Sequence, residues 1–358
     1  MQKYKVLEVG PGITSSKGGM ASVIKQIAES PELTDTFDIS TFASYADGLK
    51  SPDKQIQEFK RFIEFRKIAQ DYDLIHIHMT AKGSALRKTP YIFYAKKTGK
   101  PVIVHIHCCE YFIEQYNKRN FLYQFLVRKA LKSADLVIDL SEKTTWDLKD
   151  KFNLKRCICL PNGINPELYY SSGYKTNAVY LGKLSEDKGT SILLNVMKKC
   201  QDNNINIKMT ICGNANETEY PKMAKELNLH NVTFAGWTGP KETRQILSES
   251  SILVLPSVHE GAPVAVLEGM SSGCAIIATR VGAVPDMVPD ELISKNKKEC
   301  EEQLYERLVK LSHNTSLAKK EGERNKKIVE ERFAQNKIFN KLKDIYLDVL
   351  TKRYDFER

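Results

Sequence analysis

The sequence predicts an α/β protein with two parallel-sheet domains. Short apolar runs alternate with helical segments along most of the chain, as they do in doubly wound sheets. One stretch, residues 253–288, has the pattern of a complete strand–helix–strand unit. At 358 residues the chain is too long for one ordinary core and fits two domains.

The strand–helix–strand unit carries two carboxylates close to its first turn. Ile252–Leu255 is the predicted strand, and the helix is expected to begin near Ala262 and Pro263, with the proline in its first turn. Glu260 precedes this helix, and Glu268 lies within it eight residues later, a little over two helical turns. Both acids can therefore approach the carboxyl end of the strand, where parallel sheets bind ligands.

Two acids beside the start of a helix suit a ligand that has both phosphates and hydroxyls. Backbone N–H groups at a helix start attract an anion, and carboxylates accept hydrogen bonds from sugar hydroxyls. A nucleotide sugar combines these two features. The spacing alone is equally compatible with an ordinary strand–helix–strand unit whose acids are solvated.

The composition, 42% hydrophobic and 27% charged, is that of a soluble globular protein. No apolar run approaches the roughly 18 residues of a membrane span, and the first residues resemble a strand rather than a signal peptide. The eight cysteines lack the spacing of a zinc site. We therefore expect free thiols in a cytoplasmic protein.

The net charge of +10 belongs mainly to the first half of the chain. Residues 1–165 contain 26 Lys and Arg against 18 Asp and Glu, a balance of +8, and the remainder has 28 against 26, a balance of +2. No RNA-binding or helix-turn-helix motif accompanies this charge, so we expect no nucleic-acid partner. The open interpretations are an anionic membrane surface, a lipid-phosphate acceptor at that surface, and a basic face that is merely solvated.

A basic amphipathic helix is predicted over residues 50–70. We expect it to pack mainly on its own domain, with contact to the inner face of the plasma membrane as a second role.

The first strand, Lys5–Val9, leads into a glycine-rich turn that contains Gly18 and Gly19. Glycine lets a ligand approach the backbone closely. The spacing departs from the GxGxxG fingerprint, because Ser15 stands in place of its third glycine, and a nicotinamide-binding domain is disfavoured. A plain strand-to-helix turn is the alternative interpretation.

Four histidines lie on two predicted strands. His76 and His78 share one face of residues 73–79, and His105 and His107 share one face of residues 102–107. No acidic residue accompanies them at a diagnostic spacing, so we expect no metal.

Several segments resemble motifs of a known protein family. PSVHEGAPVAVLEGMSSGCAIIAT, which begins at Pro256, closely resembles the E-x7-E signature of the retaining glycosyltransferases of family 4, which have the GT-B fold; Ala262 and Pro263 replace the usual Phe-Gly. DLIHIH and KPVIVHIH resemble the family's histidine-bearing strand pair, and PNGIN its interdomain motif. LGKLSEDKGT and CGNANE resemble its phosphate turn and its G-x-G-x-E turn, so that the resemblance covers most of the chain.

The resemblance implies two Rossmann-like domains that face each other across a cleft. Residues 1–165 would bind the acceptor, residues 166–335 would bind the nucleotide-sugar donor, and residues 336–358 would form a helix that returns to the first domain. A linker over residues 165–176 would act as the hinge between the domains.

The implied reaction is transfer of a hexose, with retention, from a nucleoside diphosphate sugar, most commonly a UDP-sugar. The acceptor would be a glycan or a polyprenyl-phosphate-linked sugar of bacterial cell-surface polysaccharide synthesis, such as a capsule. The implied catalytic residues are His107, Glu260, Lys183 and Lys188, without a metal or other cofactor. The implied acceptor-binding residues are His78, His107 and Asn162, and the implied donor-binding residues are Gly18, Gly19, Lys183, Lys188, Gly213, Trp237, Glu260, Gly261, Ala262, Pro263, Val264 and Glu268.

Other functions remain open on the residues alone. Lys183 and Lys188 have the alternative of being surface lysines beside a turn, and Trp237 that of a core residue. At the level of the whole chain, the alternatives are a GT-B phosphorylase or epimerase, or a non-catalytic glycan- or nucleic-acid-binding protein of the same fold.

Overall fold

A computed structural model of the chain describes residues 3–14, 18–45, 53–173, 176–289 and 291–353. Ser15, the start of the predicted basic helix at residues 50–52, residues 174–175 of the predicted linker and residues 354–358 lie outside this description. The chain divides into two compact units. Unit 1 comprises residues 1–162 and 336–358, and unit 2 comprises residues 163–335.

Unit 1 contains a six-stranded, fully parallel sheet in the order β2-β1-β3-β4-β5-β6. Its strands are β1 Tyr4–Gly10, β2 Phe37–Ala43, β3 Leu74–Met79, β4 Val102–Ile106, β5 Leu136–Asp139 and β6 Cys157–Cys159. Its helices up to β6 are α1 Gly19–Glu29, α2 Pro31–Thr34, α3 Asp53–Ile68, α4 Gly83–Lys97, α5 Glu110–Asn117, α6 Phe121–Ser133 and α7 Glu142–Phe152. Every residue of β3, β4 and β5 is buried, as expected where helices cover both faces of a parallel sheet.

Local capping explains where two of these helices begin. Ser141 precedes Glu142 in a pattern that predicts a helix N-cap, and the structure confirms it: the Ser141 side chain accepts a hydrogen bond from the backbone N–H of Thr144 at the start of α7. The sequence predicts a helix over residues 117–132, and the structure confirms it as α6 with a later start. The chain turns after α5, and the Asn120 side chain accepts a hydrogen bond from the Tyr123 N–H at 3.0 Å, so that α6 begins as a new helix.

Unit 2 contains a five-stranded parallel sheet in the order β11-β10-β7-β8-β9. Its strands are β7 Asn177–Leu181, β8 Lys208–Cys212, β9 Val232–Gly236, β10 Ile252–Leu255 and β11 Ala275–Ala278. Its helices are α8 Thr190–Asp202, α9 Tyr220–Glu226, α10 Pro240–Ser248, α11 Val264–Ser271, α12 Val284–Met287, α13 Lys297–His313 and α14 Thr315–Ile328. The pattern of two parallel-sheet α/β units confirms the predicted fold class.

The last helix, α15 Gln335–Thr351, follows a π-helical segment, Val329–Phe333, and packs on unit 1. Its apolar side chains join those of β1, β3, β4, β5 and α1 in one buried cluster. The return of the C-terminal helix to the first domain is thereby confirmed. The opposite face of the unit 1 sheet packs against α3, α4, α5, α6 and α7 through a second apolar cluster.

Candidate functional site

The predicted donor residues of unit 2 gather at one edge of its sheet. Lys183, Gly213 and Trp237 follow the carboxyl ends of β7, β8 and β9, and Glu260 follows that of β10. Because these strands are parallel, all four positions lie at the same edge. The chain order reverses between β7 and β10, and a switch of this kind leaves a crevice at the carboxyl ends of the strands.

An ion pair bridges this switch point. Lys188 ends the 3₁₀ turn Glu186–Lys188 after β7, and its Nζ lies 2.6 Å from Oε1 of Glu260, which follows β10. The Lys188 ammonium also donates to the His259 carbonyl at 3.2 Å. The Lys188 and Glu260 side chains keep 28% and 11% of their surface exposed, so the pair is accessible to a ligand.

The backbone around Glu260 is held from two sides. The Val258 N–H donates to the Asp187 carbonyl at 2.8 Å, and the Ala283 N–H donates to the Gly261 carbonyl at 2.7 Å. Gly282 has a φ of 54°, and a Cβ there would lie 2.2 Å from the Gly261 oxygen and 2.5 Å from the Glu260 oxygen. Glycine is therefore required where the turn after β11 presses against the turn that carries Glu260.

Glu268 has a different environment from Glu260, although both acids belong to the predicted pair. The carboxylate of Glu268, on α11, accepts a hydrogen bond from the Tyr169 hydroxyl at 3.1 Å. Burial raises the pKa of Glu268 to about 7, against the smaller lowering effects of the Tyr169 hydrogen bond and the Arg244 charge. Glu268 therefore titrates near neutral pH, and Tyr169 and Arg244 are two neighbours that the sequence motif does not indicate.

The other predicted donor residues of unit 2 differ in exposure. Lys183 is exposed, and its carbonyl accepts a hydrogen bond from the buried Tyr180 hydroxyl at 2.9 Å. Gly213 packs so closely that a Cβ would lie 1.9 Å from the Gly182 oxygen. Trp237 is 46% exposed, and the interpretation of it as a core residue is wrong.

The helix with Glu268 begins later than predicted. Val264 is its first residue, and Pro263 is the N-cap residue in an extended conformation rather than part of the first turn. Proline excludes the helical conformation from the residue before it, which keeps Ala262 outside the helix. Gly261 and Val264 remain partly exposed beside the carboxyl end of β10, whereas Ala262 and Pro263 are buried.

Gly18 and Gly19 belong to unit 1, where Gly18 is the N-cap residue of α1. A Cβ at either position would meet no described atom within 4 Å. Nothing in the described surroundings therefore requires glycine at these two positions.

Unit 1 presents a row of polar side chains on the sheet face that α15 covers. Glu8 of β1 is in register with His76 of β3, and His78 of β3 is in register with His105 of β4. On the same face, the residues two positions before Glu8, His76 and His105 are apolar and belong to the buried cluster with α15. The polar row therefore lies toward the carboxyl ends of the strands, and His107 continues it just beyond β4.

These side chains form a connected hydrogen-bond network. The Glu8 carboxylate lies 2.6 Å from Nε2 of His78 and accepts a 2.6 Å hydrogen bond from the Tyr346 hydroxyl of α15. Nδ1 of His78 lies 2.8 Å from Nε2 of His107. Nδ1 of His76 lies 2.7 Å from the Tyr346 oxygen. Sequence reasoning missed Glu8, although a carboxylate inside an apolar strand is itself a signal of a buried polar partner.

Burial favours the neutral form of three rings in this row, those of His78, His105 and His107. It lowers the pKa of His107 to about 3, with a further lowering by the charge of His76 and an opposing effect of Glu8. Burial likewise lowers the pKa of His78 and of His105 well below the ordinary value, and neighbouring histidines add to the effect.

Burial also limits which predicted acceptor residues can touch a substrate. The His78 side chain has no exposed surface and is bonded at both nitrogens, so it offers no direct contact to an acceptor in this structure. Asn162 is buried as well, with 7% of its surface exposed, whereas His107 is partly exposed. His105 is buried, and neither of its ring nitrogens has a hydrogen-bond partner within the described ranges.

The histidine row is also the place where a metal would be sought. One ring nitrogen from each of His76, His78 and His105 lies within 4.8 Å of the others. The rings of His76 and His105 are stacked, with 6° between their planes. Ring-nitrogen lone pairs lie in the ring plane, so those of stacked rings run side by side rather than toward a shared point. Within the described chain, Nε2 of His76 and both ring nitrogens of His105 have no hydrogen-bond partner.

Two family models match the chain. The model "Glycosyltransferase Family 4" matches residues 41–168, and "Glycosyl transferases group 1" matches residues 172–328. Within the described ranges, no helix combines the length and the apolar character needed to cross a membrane.

Among curated proteins, an uncharacterized glycosyltransferase of Methanocaldococcus jannaschii is 27% identical over 287 residues, 78% of this chain and 76% of that protein. The UDP-Gal:alpha-D-GlcNAc-diphosphoundecaprenol alpha-1,3-galactosyltransferase of Escherichia coli is 25% identical over 354 residues, 91% of this chain and 88% of that protein.

Solved structures share the fold at low sequence identity. Sucrose-phosphate synthase of Thermosynechococcus elongatus superimposes with a TM-score of 0.82 at 17% identity, over 98% of this chain and all of that one. HepE of Anabaena in complex with UDP superimposes with a TM-score of 0.76 at 16% identity, over 96% of this chain and all of that one.

Proposed function

The chain belongs to the family 4 glycosyltransferases of GT-B fold, and from this premise we propose that it moves a hexose from a nucleoside diphosphate sugar to a glycan or lipid-linked acceptor. The observation that carries the proposal is the Lys188–Glu260 pair, which joins the turns after β7 and β10 at the switch point of the unit 2 sheet. A positive and a negative side chain at one opening match a ligand with a diphosphate and hydroxyls.

We propose distinct roles for the charged residues of unit 2. The ammonium groups of Lys183 and Lys188 bind the diphosphate and stabilise the negative charge that grows on it as the sugar leaves. The Glu260 carboxylate orients hydroxyls of the sugar, and that of Glu268 accepts hydrogen bonds from the ribose. Gly213 and Trp237 adjoin the base.

UDP is the nucleotide that we propose. HepE of Anabaena was solved in complex with UDP, and the Escherichia coli relative is named for UDP-Gal as its donor. The acceptor proposed here, a polyprenyl-phosphate-linked glycan, follows the diphosphoundecaprenol acceptor in the name of that relative.

We propose that transfer proceeds with retention and without a metal. The bond between the anomeric carbon and the diphosphate oxygen breaks through an oxocarbenium-like transition state, the acceptor oxygen bonds to the same carbon, and the acceptor proton passes to the leaving diphosphate. Lys183 and Lys188 neutralise the negative charge that grows on the diphosphate, a role that a metal cation serves in other enzymes. His107 contacts the sugar, and Gly18 and Gly19 let substrate approach the start of α1. The configuration of the product, read by NMR, and activity in the presence of a chelator test these two features.

A membrane-facing surface suits a lipid-linked acceptor. Phe121, Leu122 and Phe125 on α6 are 81%, 64% and 50% exposed. Residues 118–132 around them contain five basic and no acidic residues. Apolar side chains within basic surroundings fit the interface of an anionic membrane. We therefore propose a cytoplasmic protein that binds the inner face of the plasma membrane through α6.

Hydrolysis of nucleotide sugars without acceptor tests the enzyme assignment. We expect slow release of one nucleoside diphosphate from a panel of UDP-, GDP- and ADP-sugars. Loss of transition-state charge stabilisation in Lys188→Ala, and of sugar orientation in Glu260→Ala, should lower the rate about a hundredfold. Lys198→Ala is the matched control, because Lys198 pairs with Asp202 on the surface of α8 and should leave the rate unchanged.

Two outcomes would contradict the proposal. Binding of glycan or RNA without turnover of any nucleotide sugar would favour a non-catalytic binding protein. If neither Lys188→Ala nor Glu260→Ala lowers the turnover rate, the reaction site does not lie at the carboxyl edge of the unit 2 sheet.

A further inference from the structure

The polar row of unit 1 contains a chain of hydrogen bonds with a defined direction. A carboxylate only accepts hydrogen bonds, so the 2.6 Å contact between Glu8 and Nε2 of His78 requires a proton on that nitrogen. The Tyr346 hydroxyl donates to the same carboxylate at 2.6 Å. Glu8 thus begins the chain as an acceptor.

The direction continues to His107. A neutral imidazole carries one proton, so a proton on Nε2 of His78 leaves Nδ1 of that ring with a lone pair. Nε2 of His107 lies 2.8 Å from this Nδ1 and must donate to it. His107 is therefore the Nε2–H tautomer, and its remaining ring nitrogen, Nδ1, is a hydrogen-bond acceptor.

We propose that Glu8 and His78 are positioning residues that hold His107 as its Nε2–H tautomer, so that His107 offers an acceptor lone pair to a substrate hydroxyl. The inference rests on the proposed function insofar as His107 contacts the sugar. Glu8 and His78 act through His107, since both are completely buried, whereas His107 is partly exposed.

The arrangement has a consequence for substrate selection. A lone pair at Nδ1 accepts a hydrogen bond from a hydroxyl but repels fluorine or an ether oxygen at the same position. A site that requires a donor rejects an analogue without one more strongly than an apolar pocket rejects a small change of shape. Glu8 and His78 would thus determine which sugar substituent can lie against Nδ1 of His107.

Long-range proton–nitrogen correlation spectra of protein with isotope-labelled histidine test the assignment without any substrate. Near neutral pH we expect both His78 and His107 to be protonated at Nε2, with the signals assigned by their loss in His78→Asn and His107→Gln. Glutamine has one acceptor oxygen in place of two, so in Glu8→Gln we expect that oxygen to keep the Tyr346 hydroxyl and the NH2 group to donate to Nε2 of His78, which shifts the tautomers of both rings toward Nδ1–H. A wild-type His107 protonated at Nδ1 would overturn the inference, even if Glu8→Gln fails to fold.

Kinetics separate a positioning role from a merely structural one. Glu8→Gln should lower kcat/KM for nucleotide-sugar hydrolysis about tenfold and should weaken discrimination against the deoxyfluoro analogue of the donor. Glu321→Gln is the matched control, because it removes a buried carboxylate that pairs with Arg307 in unit 2. It should cost stability without changing the His107 signal. Unchanged tautomers in a folded Glu8→Gln would contradict the proposal.

Two further outcomes distinguish a failure of the proposed function from a failure of this inference. Expected tautomers in a wild-type protein that turns over no nucleotide sugar would contradict the proposed function and leave the hydrogen-bond chain intact. A stoichiometric metal found by elemental analysis of purified protein, and lost in His76→Gln, would show that the row is a metal site and would overturn the inference.

Discussion

At the scale of single residues, two carboxylates eight positions apart have been given different chemistry by their surroundings. Glu260 is paired with the Lys188 ammonium at 2.6 Å. Burial of Glu268 disfavours its charged form and raises its pKa to about 7, although the hydrogen bond from the Tyr169 hydroxyl opposes this effect. The two acids therefore differ, because Glu260 lies in an ion pair and Glu268 titrates near neutrality.

This difference predicts a pH dependence of nucleotide binding. The proposed role of Glu268 is to accept hydrogen bonds from the ribose, and this carboxylate is protonated below about pH 7, so affinity for UDP should fall as pH decreases. The loss approaches about tenfold per pH unit below the pKa. Isothermal titration calorimetry from about pH 8 to about pH 6 measures it.

Glu268→Gln is the control, since the phosphate ionisation of UDP itself is the same for both proteins. The variant should bind more weakly at about pH 8 and lack the additional pH dependence. A wild-type curve that coincides in shape with that of Glu268→Gln would show that this carboxylate does not contact the nucleotide.

The buried histidines predict loss of stability in acid. An unfolded histidine binds a proton below about pH 6.5, whereas folded His107 does so only near pH 3, and His78 and His105 also resist protonation. Between these pH values the unfolded state binds more protons than the folded state. The contribution of these histidines to the free energy of unfolding is therefore fully present above about pH 6.5 and is lost as pH decreases. Each such group contributes up to about 1.4 kcal/mol per pH unit.

His105→Leu tests the dependence of stability on histidine protonation at one residue. Neither ring nitrogen of His105 has a partner within the described part of the chain, so an apolar replacement should cost little at neutral pH. Thermal unfolding midpoints at about pH 7.5 and about pH 5.5 should then differ less for the variant than for the wild type. An equal acid shift in both proteins would contradict the assignment of His105 as a buried neutral group.

At the scale of elements, the candidate donor site is built from the turns at the carboxyl ends of four strands. The strands hold the turns in place, and contacts between turns set the positions of the side chains. The clearest of these contacts is made at Gly282. Because glycine has no side chain, the turn after β11 can lie against the backbone of Glu260 and Gly261.

Gly282→Ala should therefore disturb the site without touching a charged side chain. The new Cβ would come within 2.5 Å of the backbone oxygens of Gly261 and Glu260, and a φ of 54° is itself unfavourable for alanine. We expect a stability loss of about 1–2 kcal/mol and weaker UDP binding, measured by thermal unfolding and calorimetry. Gly239→Ala is the matched control, since its φ is −75° and its added Cβ meets no described atom within 4 Å. Equal UDP affinity in the two variants would argue against the importance of this contact.

At the scale of the whole molecule, the excess positive charge belongs to the first half of the chain. In the described structure, exposed apolar side chains lie beside basic residues on two helices, α3 and α6. The predicted basic helix contributes α3, where Ile56 and Phe59 are 52% and 65% exposed while Phe65 is buried. The α3 sequence also carries three acidic residues. The α6 surface, by contrast, has basic neighbours without acidic ones across residues 118–132.

The α6 surface should bind anionic membranes more strongly than the α3 surface. Replacing Phe121 and Leu122 together by serine removes two exposed side chains whose burial is worth about 1.5–3 kcal/mol each, so binding should fall at least tenfold. Sedimentation with phosphatidylglycerol vesicles measures this, with phosphatidylcholine vesicles for comparison. Ile56→Ser with Phe59→Ser is the matched control on α3 and should have a smaller effect. Equal binding by wild type and the α6 variant would contradict the proposed membrane surface.

Local sequence by itself determined the strands, most helices and the positions that follow each strand. Alternation of apolar runs with amphipathic segments is a local property, so the α/β class and the placing of Lys188 and Glu260 beside strand ends could be predicted. The late starts of α6 and α11 could not be predicted, because helix ends depend on caps that compete over one or two residues.

Only the tertiary structure decided which side chains meet. Tyr346 contacts Glu8 across 338 positions of sequence, and Tyr169 contacts Glu268 across 99. Strand order and register bring Glu8, His76, His78 and His105 onto one face, and that order is set by packing of the whole sheet against its helices. The same packing removes water from the side chains. Burial therefore confines His78 to its contacts with Glu8 and His107 and raises the pKa of Glu268, and no local pattern of residues carries that information.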